Sequence, residues 1–163
     1  MELTIRADVS THMRELKQWL AQTRDEPAED MNGFFAARVD TYEAHMSVWD
    51  KAYGRVAELT PGDCGPLLDL GCGTGGMLEL LAERYPGMAL VGLDFSPNML
   101  QVAKERLAGF ANVSLEQGDA MHLGYADGSF DCVVSAFALR NMASCERAVG
   151  EIARVLRPGG VIC

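Results

Sequence analysis

A chain of 163 residues with 14 basic and 23 acidic side chains (net charge −9) has the length of one domain, and its 48% hydrophobic and 23% charged content excludes a disordered polymer. The acid is spread evenly, with 7 basic against 11 acidic residues over 1–60 and 7 against 12 over 61–163. That balance argues against a nucleic-acid or anionic-membrane surface, which requires clustered Lys and Arg.

In chain order, residues 10–22 place Met13, Leu16, Trp19 and Leu20 on one helical face. Residues 23–33 are polar with Pro27 and Gly33, which predicts a loop. Residues 34–59 predict a second helical region, in which Phe34, Phe35, Val39, Tyr42, Met46, Trp49, Tyr53 and Val56 recur at helical spacing. Pro61-Gly62-Asp63 then marks a turn and a change of texture. Short apolar runs at 66–70, 89–93, 113–116 and 132–137, with a fifth beginning at Val161, alternate with helical segments. One helix is predicted over 77–84. Another opens at Ser96-Pro97, where Ser is a good N-cap and Pro suits the first turn. A third runs from a Ser144 cap through Leu156, with Ala148, Ile152 and Val155 on its apolar side and Pro158-Gly159-Gly160 as its stop. Alternation of this kind predicts a parallel sheet with helices on both faces, which binds ligands at the carboxyl ends of its strands.

No apolar run approaches the ~20 residues that cross a bilayer, and residues 1–10 lack the pattern of a signal peptide. The five cysteines, at 64, 72, 132, 145 and 163, form no C-x-x-C pair and have no His at zinc-site spacing. They read as reduced thiols of a cytoplasmic protein, and no metal site is predicted.

The residues that follow each apolar run carry the chemistry. The first run leads into Asp69-Leu70-Gly71-Cys72-Gly73-Thr74-Gly75-Gly76. Glycines there let the backbone turn sharply and approach a ligand closely. Gly71-x-Gly73-x-x-Gly76 also satisfies the dinucleotide fingerprint, with Asp94 lying 23 residues beyond Gly71. Asp69 separates the two readings. A carboxylate at the strand end repels a pyrophosphate and attracts a cofactor with a cationic amino group and no phosphate, which S-adenosylmethionine has. The second run ends at Asp94, able to accept both ribose hydroxyls, with Phe95 and Met99 placed to flank an adenine. The third leads to Gly118-Asp119-Ala120, where Asp119 can accept from the adenine amino group. Three strand ends that each carry an Asp form the strong signal; each one alone also reads as a helix cap or turn residue.

The stretch 67–160 resembles the class I S-adenosylmethionine-dependent methyltransferases. It matches their glycine loop at 69–75, their post-loop acid in Gly92-Leu93-Asp94-Phe95-Ser96, their Gly118-Asp119-Ala120, their fourth strand in Phe130-Asp131-Cys132-Val133-Val134, and their turn at Leu156-Arg157-Pro158-Gly159-Gly160. Phe137-Ala138-Leu139-Arg140-Asn141 is similar to a segment of the quinone-biosynthesis C-methyltransferases. The resemblance implies an α/β, Rossmann-like, doubly wound and mostly parallel sheet over 61–163, under a helical lid formed by 1–60. Here the final antiparallel strands are expected to be lacking, which would leave an open sheet edge for a homodimer. It implies that Asp69 and Gly71, Cys72, Gly73 and Gly75 hold the methionine part of S-adenosyl-L-methionine, Asp94 the ribose, and Asp119 the adenine. Ala136 and Phe137 would face the reacting methyl, and Tyr42 would touch the methionine end. The expected partner is a small-molecule methyl acceptor. Where that acceptor must lose a proton, His45, His122 and Tyr42 are the candidate bases, and Arg140 is a candidate acceptor ligand. A non-catalytic cofactor-binding module and a nicotinamide-dependent oxidoreductase stand as alternatives.

Overall fold

The structure, a computed structural model, describes residues 50–163 and, apart from them, Gly33. The predicted helix over 10–22, most of 34–59, and the candidates Tyr42 and His45 therefore lie outside the described residues. The elements are α1 (Asp50–Leu59), β1 (Leu67–Leu70), α2 (Gly76–Arg84), β2 (Leu90–Asp94), α3 (Pro97–Arg106), β3 (Val113–Gln117), β4 (Phe130–Val134), a 3₁₀ turn (Leu139–Asn141), α4 (Cys145–Val155) and β5 (Leu156–Ile162).

The five strands form one sheet in the order β3-β2-β1-β4-β5, every pair parallel. β1 is central and buried at all four positions, as a strand covered on both faces must be. Successive side chains point to opposite faces. Leu67, Cys132 and Val134 join the core beneath α2 and α3, with Met77, Leu78, Leu81 and Ala103. Leu68, Leu70 and Val133 join the core beneath α4, with Ile152 and Val155. β3 lies at one edge, and its Ser114, Glu116 and Gln117 are exposed. The last turns of the N-terminal region are built into this core: Ala57 of α1 is buried, and Tyr85 Oη donates toward the carbonyls of Ala57 and Thr60 at 3.2 and 3.1 Å.

The capping chemistry falls where the sequence indicates. Ser96 Oγ accepts from Met99 N at 3.4 Å and Ser144 Oγ from Arg147 N at 3.3 Å, each at the start of its helix. The differences lie at the ends of elements. β4 stops at Val134, so 135–137 are not strand. α4 stops at Val155, and Pro158-Gly159-Gly160, read as a helix stop preceding a strand at Val161, fall within β5. The cause is pairing. Leu156 already aligns with Phe130, and Val161 aligns with Cys132 after an irregularity that absorbs the Pro-Gly-Gly segment as a bulge on an edge strand. Among the described residues no helix is long and apolar enough to cross a membrane, and all five cysteines are free thiols.

Candidate functional site

Parallel register brings the strand ends to one edge. Leu70 aligns with Leu93, Asp94 with Gln117, and Asp69 with Val134, so the residues that follow β1, β2, β3 and β4 meet above the point where the strand order reverses. A cavity of about 260 Å³ opens there. Gly71, Gly73, Asp94, Phe95, Met99, Gly118, Asp119, Ala120 and Ala136, all singled out from the sequence, line it.

The glycine loop is held by backbone bonds. Gly71 N and Cys72 N both donate to Leu93 O, at 2.8 and 3.1 Å. Gly71 needs to be glycine for two reasons: its φ is +75°, and a Cβ there would collide with Ala138. Asp94 ties the loop to β2, because Gly73 N donates to its Oδ2 and Ser96 N to its Oδ1, each at 2.8 Å. Two carboxylate oxygens offer about four lone-pair sites, so the two amides leave acceptor capacity facing the cavity. Burial raises the Asp94 carboxyl above the usual carboxylate range, and the Ser96 and Gly73 amides oppose that rise. Asp119 accepts from Met121 N at 2.8 Å through Oδ1, while its Oδ2 lies 3.1 Å from His122 Nδ1. The carboxylate thus fixes its own turn at the cavity wall.

Three predicted residues lie behind this lining. Cys72 and Asp69 are buried, and Gly75 (φ +85°) caps α2. Asp69 is 1% exposed, and its Oδ2 has no hydrogen-bond partner among the described residues. Burial, and secondarily the charge of Asp94, push its carboxyl up to about 8. Burial likewise drives the Cys72 thiol far above its ordinary range, so it is no nucleophile. His122 is exposed and turned onto Asp119. Arg140 is exposed, with its guanidinium 5.8 Å from the centre of the Phe137 ring.

The wall after β4 extends beyond the residues with a clear sequence signal. Ala138, Asn141, Met142 and Ala143 line the cavity beside Phe137, and Leu93, Ser96 and Met121 complete it. Phe137 has φ +63° and is the non-glycine residue with positive φ among those described, a backbone state that costs an aromatic residue about 1–2 kcal/mol. Ala138 and Asn141 fall in the segment 137–141 that resembles the quinone-biosynthesis C-methyltransferases, whereas Met142 and Ala143 carry no individual signal beyond their place just before the Ser144 cap.

Among the described residues the lining holds two carboxylates and no Lys, Arg or His. Two carboxylates at the ends of parallel strands disfavour phosphate there and suit a nucleoside ligand bearing positive charge, on a Rossmann-like sheet. A family model described as a methyltransferase domain matches residues 68–163. With more than half of its length matched, the chain belongs to that family, the class I S-adenosylmethionine-dependent methyltransferases. It is similar to a demethylmenaquinone methyltransferase of Thermus thermophilus, 46% identical over 95 residues that cover 58% of this chain and 43% of that protein. One from Lactobacillus johnsonii is 34% identical over 155 residues, covering 88% of this chain and 63% of the relative. Among solved structures, an S-adenosylmethionine-dependent methyltransferase of Thermotoga maritima aligns with TM-score 0.66 at 26% identity, over 78% of this chain and 57% of the other. The chain thus spans about half the length of the curated relatives it matches.

Proposed function

We propose that this chain takes part in methyl transfer from S-adenosylmethionine to a small, ring-bearing acceptor of the demethylmenaquinone kind. The observation that carries the cofactor half is the cavity lining, in which Asp94 and Asp119 stand with no basic side chain among the described residues. The residues fit the group. Gly71 and Gly73 would lie along its methionine part, Asp94 would accept from the ribose hydroxyls, Phe95 and Met99 would flank the base, and Asp119 would accept from its amino group. Asp69, whose Oδ2 lies buried with no hydrogen-bond partner among the described residues, holds its proton up to about pH 8 and would add negative charge near the cationic end only on releasing it. The acceptor half is supported by the wall of Phe137, Ala138, Met142 and Ala143, an apolar surface with Asn141 as a polar element, and by the demethylmenaquinone methyltransferases among the relatives.

S-adenosylmethionine, when bound, supplies a methyl group on a sulfonium leaving group. The work left to the protein is alignment and exclusion of water. The backbone bonds from Leu93 and Asp94 set the cofactor wall, and Ala136 and Phe137 bring the acceptor wall against it. We further propose a cytoplasmic location, supported by the five free thiols. A homodimer across the β5 edge is also proposed, supported by exposed Val161 and Ile162; sedimentation of the pure chain as a monomer would refute that pairing.

Isothermal titration with S-adenosylhomocysteine and with NAD tests the cofactor assignment. Binding of the first and not the second is expected, and the reverse would overturn it. Transfer of a labelled methyl group to demethylmenaquinone tests the acceptor, with label confined to water-soluble acceptors as the refuting result.

A further inference from the structure

Twelve residues separate β3 from β4. Connections of that length without secondary structure are usually functional. Its first four, Gly118 to Met121, line the cavity, and the other eight do not. Those eight are held from α4, on the sheet face away from α2 and α3. Arg154 spends all five of its N–H donors there. Nε donates to Glu151 Oε1 at 2.8 Å. Nη1 donates to Tyr125 O at 2.7 Å and to Asp127 Oδ1 at 2.9 Å. Nη2 donates to Leu123 O at 2.9 Å and to Glu151 Oε2 at 2.8 Å. Glu151 Oε2 also accepts from Leu123 N at 2.7 Å, and the Arg154 carbonyl accepts from Gly128 N at 3.0 Å. One ion pair therefore grips the loop at Leu123, Tyr125 and Asp127, and the Arg154 main chain holds Gly128.

An exposed ion pair ordinarily contributes little. This one differs in three ways. The Glu151–Arg154 contact is bidentate, which fixes the guanidinium plane. Two of the three remaining donors meet backbone carbonyls, of Tyr125 and Leu123, and the third meets the Asp127 side chain, so the pair reads chain position at two points of the loop. Leu123, which it holds through both N and O, is buried and lies two residues from Met121 of the cavity wall. The Arg154 hydrogen bonds hold the Glu151 carboxyl down at about 2, so the pair stays charged across ordinary assay pH.

We infer that Glu151 and Arg154 are positioning residues for the cavity: together they fix the loop over 118–129 and thereby set the affinity for the nucleoside end of the cofactor. Neither residue touches the cavity; both act through Leu123 on Asp119, Ala120 and Met121. The inference rests on the cofactor assignment proposed above.

The test uses the full chain with S-adenosylhomocysteine as probe. Arg154→Ala is expected to raise its Kd about tenfold, because the loop must then be ordered on binding. Arg154→Lys should recover only part of the loss, since an ammonium cannot meet four acceptor groups in one plane. Amide hydrogen exchange should accelerate at Met121 and Leu123 while β1 and α2 remain as protected as in the unmodified chain. A folded Arg154→Ala protein with Kd within about twofold of the parent and unchanged exchange at Met121 would overturn the inference, whatever its Tm. Should Arg154→Ala fail to fold, Arg154→Lys and Glu151→Gln carry the same two readouts. If the unmodified chain binds no S-adenosylhomocysteine, the cofactor assignment falls instead, and exchange at Met121 still decides whether the pair holds the wall.

Discussion

The two walls of the cavity are built by different means. On the side of β1, β2 and β3, nearly every lining segment is tied by a bond that reaches another strand end: Gly71 N to Leu93 O at 2.8 Å, Gly73 N to Asp94 Oδ2 at 2.8 Å, and Gly118 N to Asp94 O at 3.0 Å. On the side that follows β4, the bonds are local turns, Asn141 N to Ala138 O at 2.9 Å and Met142 N to Leu139 O at 3.3 Å. At its base Ser135 N donates to Cys163 O at 3.0 Å beyond β5 and Ser135 Oγ to Leu70 O at 2.9 Å, and farther along Ala138 is seated against Gly71. A wall of fixed polar groups suits one invariant ligand. A wall of small apolar residues around a strained aromatic suits a partner recognised by shape. The division fits a cofactor on one side and an acceptor on the other.

The largest expected effect comes from breaking the joint between the walls. Gly71→Ala places a Cβ into Ala138 at a residue with φ +75°, and overpacking and backbone strain together should cost about 3 kcal/mol of stability. Urea denaturation measures it, and binding of S-adenosylhomocysteine should vanish as well. A variant that keeps both would mean that the walls are not interlocked.

Next comes Asp94, the hub of the polar wall. Asp94→Ala deprives the Gly73 and Ser96 amides of their acceptor and should weaken cofactor binding by about 1–3 kcal/mol. Titration calorimetry checks it, and unchanged affinity would refute the ribose assignment. Asp69 supplies a prediction with a sign. Burial and the charge of Asp94 raise its carboxyl to about 8 from an unfolded value of 3.8. Between those values the folded chain holds a proton that the unfolded chain has released. The contribution to stability is therefore complete below about pH 4 and fades as pH climbs toward 8. Asp69→Asn should flatten this decline in denaturation midpoints measured from pH 5 to 8; an equally steep decline in the variant would place its origin elsewhere.

The same contrast explains what could be read from the chain alone. The polar wall was legible because its residues are acids and glycines directly after apolar runs, where a parallel sheet collects them. Asp94 and Asp119 needed no long-range information. The wall after β4 is harder to read, since Met142 and Ala143 are indistinguishable from core or turn residues until the cavity is seen, and Ala138 until Gly71 is seen pressed against it. Arg154 was hidden for another reason. Its spacing from Glu151 suggests a helix-surface pair, yet its carbonyl partner Leu123 lies 31 residues away. At 156–162 Pro-Gly-Gly has one local meaning, a stop, and the register with Phe130 and Cys132 imposes another.

The smallest expected effect isolates the strain in the apolar wall. At an ordinary helical or extended position, glycine is less stable than alanine by roughly 0.5–1 kcal/mol, because it loses more backbone freedom on folding. At Phe137 the order should invert. With φ at +63°, alanine keeps the steric cost of the left-handed backbone, and glycine escapes it. Phe137→Ala and Phe137→Gly lose the same ring and the same neighbours, including the Arg140 guanidinium, so those losses cancel between them. Phe137→Gly should therefore be the more stable of the two by about 1 kcal/mol in denaturant titrations. Equal stabilities, or alanine ahead, would mean that the loop relaxes to negative φ once the ring is gone. In that case the ring itself, and not the backbone around it, would be what holds the acceptor wall in its strained shape.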